Sequence, residues 1–157
     1  MISKEITYTD YDGNVRTEKC YFHLSKPELM QIKRAPLQEI QTMIEKIQGM
    51  EDPDSISLED QDKLIEMMGN FTYYLVTKAY GEKSEDGRRF IKQKNGRKLG
   101  EEFTETEAYS ELYMDIITDP ERFTAFVRGI IPPEYQSELD DNLPTDAGDV
   151  VQLQIGE

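Results

Sequence analysis

The spacing of apolar residues changes once along this chain, and that change constrains the fold more than any other feature. Up to Leu24 the period is two. Ile2, Ile6 and Tyr8 alternate with Ser3, Glu5, Thr7 and Thr9, with one polar break at Lys4, and Cys20, Phe22 and Leu24 share one face of a second run. Asp12-Gly13-Asn14 between the runs supplies residues that tolerate the backbone of a tight turn, so residues 2–24 read as a β-hairpin. Beyond residue 25 the apolar period is that of a helix. An isolated hairpin is marginal in water, so this one must lie on those helices.

Ser25 is the expected N-cap of a short helix running to about Lys33, with Pro27 and Glu28 in its first turn. Pro36 opens a second helix whose stripe is Leu37, Ile40, Met43, Ile44 and Ile47, closed by Gly49. Ser57 caps a third, with Asp60 at the capping-box position. Leu64, Met68, Phe71, Leu75 and Ala79 mark one face of it. Ile65, Met67, Tyr73, Tyr74, Val76 and Tyr80 widen that face until little polar surface remains, as expected of a central helix packed on more than one side. Gly81 is read as its end and residues 82–100 as a connector. Thr104 and Glu107 have capping-box spacing for a fourth helix with two rows, Ala108-Leu112-Ile116 and Tyr109-Tyr113-Ile117. Asp119-Pro120-Glu121 separates it from a fifth, which presents Phe123, Phe126, Val127, Ile130 and Ile131 and stops at Pro132-Pro133. The expected class is α+β, mainly α: an N-terminal hairpin packed on about five helices, one domain over residues 1–135. Residues 136–157 read as an acidic flexible tail, in which Val150, Val151, Leu153 and Ile155 have the makings of a short strand on binding.

Charge separates the chain into three parts. Lys and Arg number 18 against 32 Asp and Glu, a net charge of -14 over 157 residues. Residues 81–100 form a basic island, with seven bases and three acids, whereas residues 101–157 hold two bases and 15 acids. The island suits either a solvated loop or a docking patch for an acidic surface. The acid excess argues against nucleic-acid binding, because phosphate contacts need clustered Lys and Arg. No run approaches the roughly 18 apolar residues of a membrane span, and the start has no apolar stretch of the kind a secretory leader carries. One cysteine rules out an intramolecular disulfide framework and fits a reducing compartment.

Catalytic constellations are not apparent. His23 is the only histidine, and it lies three residues from Cys20 on one strand, so the two point to opposite faces. Asp52, Asp54, Glu59, Asp60 and Asp62 lack the alternating ligands, central Gly and terminal Glu of an EF-hand loop. Gly96 and Gly100 do not make a phosphate loop. No catalytic, cofactor or metal residue is assigned, which leaves an interaction protein as the leading class. Two segments suit interaction: Arg88, Arg89 and Phe90 within the island, and the stripe Phe123, Phe126, Val127, Ile130 and Ile131, which serves either core or partner. Seven methionines and nine tyrosines fit an adaptable surface for an apolar helix, although Met also fills ordinary cores.

At these segments the chain resembles a known family. The hairpin start, Ala79-Tyr80-Gly81, Asp86-Gly87-Arg88-Arg89-Phe90-Ile91-Lys92, Phe103-Thr104-Glu105-Thr106-Glu107-Ala108-Tyr109 and Phe126-Val127-Arg128-Gly129-Ile130-Ile131-Pro132 are similar to tail assembly chaperones of long-tailed, siphovirus-type bacteriophages. The resemblance implies a non-enzymatic protein of the host cytoplasm that binds the tape measure protein, keeps this long apolar-rich chain soluble, and is not expected in the mature virion. It also implies a frameshifted longer form in some members, whose extension recruits tail tube subunits. The residues expected to meet partners are Arg88, Arg89, Phe90, Tyr109, Tyr113, Phe123, Phe126, Val127, Ile130 and Ile131, and the charge map suggests self-association through the basic island against an acidic neighbour. A structural virion component, such as a tail completion or connector protein, is the alternative, and an acidic mimic of nucleic acid is a third reading.

Overall fold

A single carboxylate ties the turn of the hairpin. Strand β1 (Ile2–Thr9) and strand β2 (Val15–Phe22) pair antiparallel from Ile2↔Phe22 to Thr9↔Val15. Asp10 accepts hydrogen bonds from the Arg16 guanidinium at 2.6 Å and from the backbone amides of Asp12 and Asn14, both at 2.9 Å. The Arg16 bond, seconded by those amides, holds the Asp10 carboxyl below the usual range. The computed structural model describes residues 1–130. Ile131, the Pro132-Pro133 stop, the tail over 136–157 and its strand-like residues Val150, Val151, Leu153 and Ile155 lie outside the described residues.

Helix α1 (Lys26–Met30) begins at a full capping box: Glu28 N–H donates to Ser25 Oγ, and Ser25 N–H donates to Glu28 Oε1 at 2.8 Å. It is shorter than expected, because the Gln31 amide turns back to the Glu28 carbonyl and tightens the last turn. Helix α2 (Ala35–Gln48) buries Leu37, Ile40 and Ile44, and a 3-10 turn over Pro53–Ser55 leads to helix α3 (Leu58–Ala79), capped by Ser57. The long helix packs on α2 along one side and on later helices along another. Its apolar girdle is not closed, however: Ile65 and Tyr73 are 46% and 50% exposed.

The segment 82–100 is not a connector but completes the sheet. Strand β3 (Tyr80–Lys83) starts directly from α3 and pairs with β2 at Tyr21↔Gly81 and Phe22↔Tyr80. Strand β4 (Phe90–Ile91) pairs with β3, so the sheet has the order β1-β2-β3-β4 and is antiparallel throughout. A separate small hairpin, β5 (Gln93–Lys94) with β6 (Arg97–Lys98), closes through Asn95 and Gly96 at φ 53° and 77°. Both turn residues at positive φ make a type I′ turn, which Asn-Gly suits better than almost any other pair.

Helix α4 (Leu99–Phe103) is the one α-helix among the described residues that neither periodicity nor a cap announces. It displaces the next cap by two residues. Thr104 ends α4, while Thr106 caps helix α5 (Glu107–Ile117) by accepting from the Tyr109 amide at 3.3 Å. Helix α6 (Pro120–Ile130) follows Asp119, whose carboxylate accepts from the Glu121 amide at 2.9 Å. Helix α5 lies across β1, and α6 packs against α5. The core centres on Phe22, fully buried, with Tyr80, Phe103 and Phe126 around it edge-to-face at centroid separations of 5.7, 6.0 and 5.4 Å.

Candidate functional site

Arg88 and Arg89 sit at the exposed tip of the β3–β4 hairpin, carried there by a turn in which the Asp86 carboxylate accepts from the Arg88 amide and the Ser84 hydroxyl. Those bonds, the Arg88 amide foremost, hold the Asp86 carboxyl below its ordinary value. Phe90 is half-buried and packs its ring against His23 at 5.6 Å, with Lys92 Nζ at 5.8 Å from its centroid. Burial, then the positive N-terminus and Lys92, pushes the His23 imidazole down. Cys20 is buried, and burial pushes its thiol up to about 11. Among the described residues no cluster of three or more His, Cys, Asp or Glu is arranged to hold a metal ion, and no helix is long and apolar enough to cross a membrane.

Tyr109 and Tyr113 come together on α5, with ring centroids 5.8 Å apart, and Tyr73 of α3 meets Tyr109 at 6.5 Å. The Tyr113 hydroxyl lies over Gly69, where any side chain would collide with it. Burial, with the neighbouring tyrosines adding to it, pushes the Tyr109 phenol up to about 12. From this strip an aromatic ladder runs inward through Phe103 and Tyr80, stacked at 4.2 Å, to Phe22.

Phe123, Phe126, Val127 and Ile130 are all at most 3% exposed. They face Phe71, Phe22 and the rest of the core. The structure therefore does not gather the sequence-nominated residues into one surface. It puts two at a hairpin tip, one against His23, two in a half-buried tyrosine strip and four inside.

One surface was not nominated. Between the start of α2 and the middle of α3 is a groove of about 320 Å³ floored by Pro36, Met67, Phe71 and Tyr74, with Lys33 and Asn70 on its rim. Sharing Glu39 and Met67 with it, a second furrow of about 520 Å³ continues along the same helix pair past Met43, Lys46 and Lys63. Tyr74 fixes one end, its hydroxyl accepting from the Lys33 amide at 3.0 Å and its ring lying 5.2 Å from Lys78 Nζ. The sequence does carry a signal for this groove. Met67, Phe71 and Tyr74 form an i, i+4, i+7 row on α3, about half a turn away from Ile65, Gly69 and Tyr73.

Comparison with curated proteins and with solved structures returns no match. A family model described as phage tail assembly chaperone aligns with residues 1–154, nearly the whole chain. A match over that much of the chain shows that it belongs to the phage tail assembly chaperone family.

Proposed function

We propose that this chaperone binds the tape measure protein non-covalently, laying an apolar helical stretch of it along the α2–α3 groove. The observation that carries the reading is the continuity of the two furrows over Pro36, Met43, Met67, Phe71 and Tyr74. An amphipathic helix docks by inserting residues spaced i, i+4, i+7 into such a trough. Methionine lining adapts to clients of varied shape. Lys33, Lys46 and Lys63 along the rim suit acidic positions flanking the client's apolar face, and the net charge of -14 keeps a complex with an apolar chain in solution.

The other nominated residues have roles within this reading. Tyr109 and Tyr113, with Tyr73, offer a second contact strip on the opposite flank of α3. Arg88, Arg89 and Phe90 dock an acidic face of a neighbouring copy, which lets many copies line a long client. Phe123, Phe126, Val127 and Ile130 would reach a client only if α6 lifted; otherwise they hold the body that presents the groove, and Ile131, nominated with them, lies outside the described residues. The acidic C-terminal part helps recruit tail tube subunits, and the protein works in the host cytoplasm and leaves before the virion is complete.

Co-expression with the tape measure protein, followed by solubility and pull-down, tests the central point. The wild-type chain should keep the client soluble, and Met43→Glu/Met67→Glu should abolish capture without unfolding the chaperone. A client equally insoluble with and without the wild-type chain would sink the reading. Retained capture by the double variant would move the site elsewhere.

A further inference from the structure

The sheet has an open side. In the hairpin, Asp10 N–H donates to Asn14 O at 2.8 Å, which marks 10↔14 as a hydrogen-bonded pair; His23 N–H donates to Ala79 O at 2.9 Å, which does the same for 23↔79. Hydrogen-bonded and non-bonded pairs alternate along an antiparallel ladder. The register therefore turns the amides and carbonyls of Ile2, Lys4, Ile6 and Tyr8 toward β2, and those of Ser3, Glu5, Thr7 and Thr9 away from it. β1 is the first strand of the sheet order, all four of these residues are exposed, and their outward backbone groups have no partner among the described residues. An edge of eight residues left this way is a template for another strand. Beside it runs a groove of about 420 Å³, in which Lys4, Ile6 and Thr7 of β1 face Glu111, Leu112 and Asp115 of α5.

We infer that the occupant of this edge is the chain's own segment 150–155, added beside β1 as a fifth strand. Val151, Leu153 and Ile155 alternate with Gln152 and Gln154. In a strand the first three would share one face, toward Ile6 and Leu112 on the helix-covered side, and the glutamines the other, beside Thr7 and Thr9 on the solvent side. The segment carries no charge, while Asp149 and Glu157 bracket it. That suits a groove bordered by Glu5, Glu111 and Asp115, which would repel an acidic strand. Reach is ample. The described chain ends at Ile130 with Gly129 packed against Ile2, the first residue of β1. The 19 residues from 131 to 149 span up to about 63 Å, more than twice the roughly 27 Å of an eight-residue strand. A tether of that length also favours the segment of the same chain over that of a second copy.

Residue-resolved hydrogen exchange on the full chain tests this. The amides of Ser3, Glu5, Thr7 and Thr9 should be protected in the wild type. They should exchange at least about ten-fold faster in Leu153→Pro, which removes a donor from the proposed strand, while the amides of Phe22, Val76 and Ile116 keep their protection and report an intact body. Equal exchange at the edge in both proteins overturns the inference. Protection that rises with protein concentration, together with a dimeric mass, assigns the strand to a second copy and overturns it as stated. Thr7→Pro provides a check from the other side. It removes an outward N–H that β2 does not use, so it should speed exchange at the amides of 151–155 without melting the hairpin.

Discussion

Two apolar stripes that look alike in sequence meet opposite fates. On α6, Phe123, Phe126, Val127 and Ile130 are sealed. On the α2–α3 pair, Met43, Met67 and Tyr74 remain half-buried along a groove. The difference does not lie in hydrophobic content, since the phenylalanines make α6 the better candidate for a partner surface. It lies in how many elements converge. Helix α6 meets the sheet at Phe22 and Ile2 and the long helix at Phe71, and all four stripe residues are buried in the core. The outer side of α2–α3 has no third layer among the described residues. A stripe becomes a docking surface where the fold runs out of elements to cover it.

This contrast can be broken by substitution. Phe126→Ala removes a ring from the centre of the aromatic core and is expected to cost about 3–5 kcal/mol, as deletion of buried aromatics does; Met43→Ala on the groove should cost well under half of that. Urea denaturation measures both, and equal losses would erase the distinction between sealed and open stripes. A smaller effect, of opposite sign, is expected within α3 itself. Thr72 is buried at 1% exposure, and its hydroxyl has no hydrogen-bond partner. Thr72→Val keeps the shape and removes the stranded polar group, so it should stabilise by about 1 kcal/mol. A destabilisation in the same assay would mean the hydroxyl is satisfied.

The smallest expected effect concerns His23, whose Nδ1 is likewise buried and unpartnered. Its folded-state pKa is lowered by burial, so the unfolded chain binds the proton more readily. Stability should therefore fall as pH drops below the ordinary histidine value of about 6.5. Melting temperatures between pH 7.5 and 5.5 should show the decline, and His23→Phe should flatten it, since the chain has one histidine. An unchanged slope in the variant would place the titrating group elsewhere.

Periodicity made most of this fold legible. The hairpin and four of the helices announce themselves because each is long enough to repeat its apolar spacing, while the five-residue α1 is announced by its Ser25 cap with Pro27 and Glu28 in the first turn. Strands such as Phe90–Ile91 and Arg97–Lys98 are only two residues long and show no period at all. Basic composition then disguised them as a connector. The readable sign was Asn95-Gly96, a hairpin turn written in two residues. The misplaced cap at Thr104 follows from the same gap, since a helix over Leu99–Phe103 shifts the next start to Thr106. The groove was legible only as ingredients. Met67, Phe71 and Tyr74 could be aligned on one row, but whether anything covers that row depends on the packing of the whole body.

The seam between β2 and β3 has a kinetic consequence. The β1–β2 and β3–β4 hairpins each close through a short local turn, whereas Phe22↔Tyr80 joins positions 58 apart, with α1, α2 and α3 looped out between them. Closing such a loop costs entropy before any contact repays it, so joining the two hairpins is expected to be slower than closing either of them. During synthesis the N-terminal hairpin emerges first and waits for Tyr80 and Gly81, several seconds at about 5–20 residues per second. For that interval Phe22, later the centre of the core, is exposed to whatever the nascent chain meets.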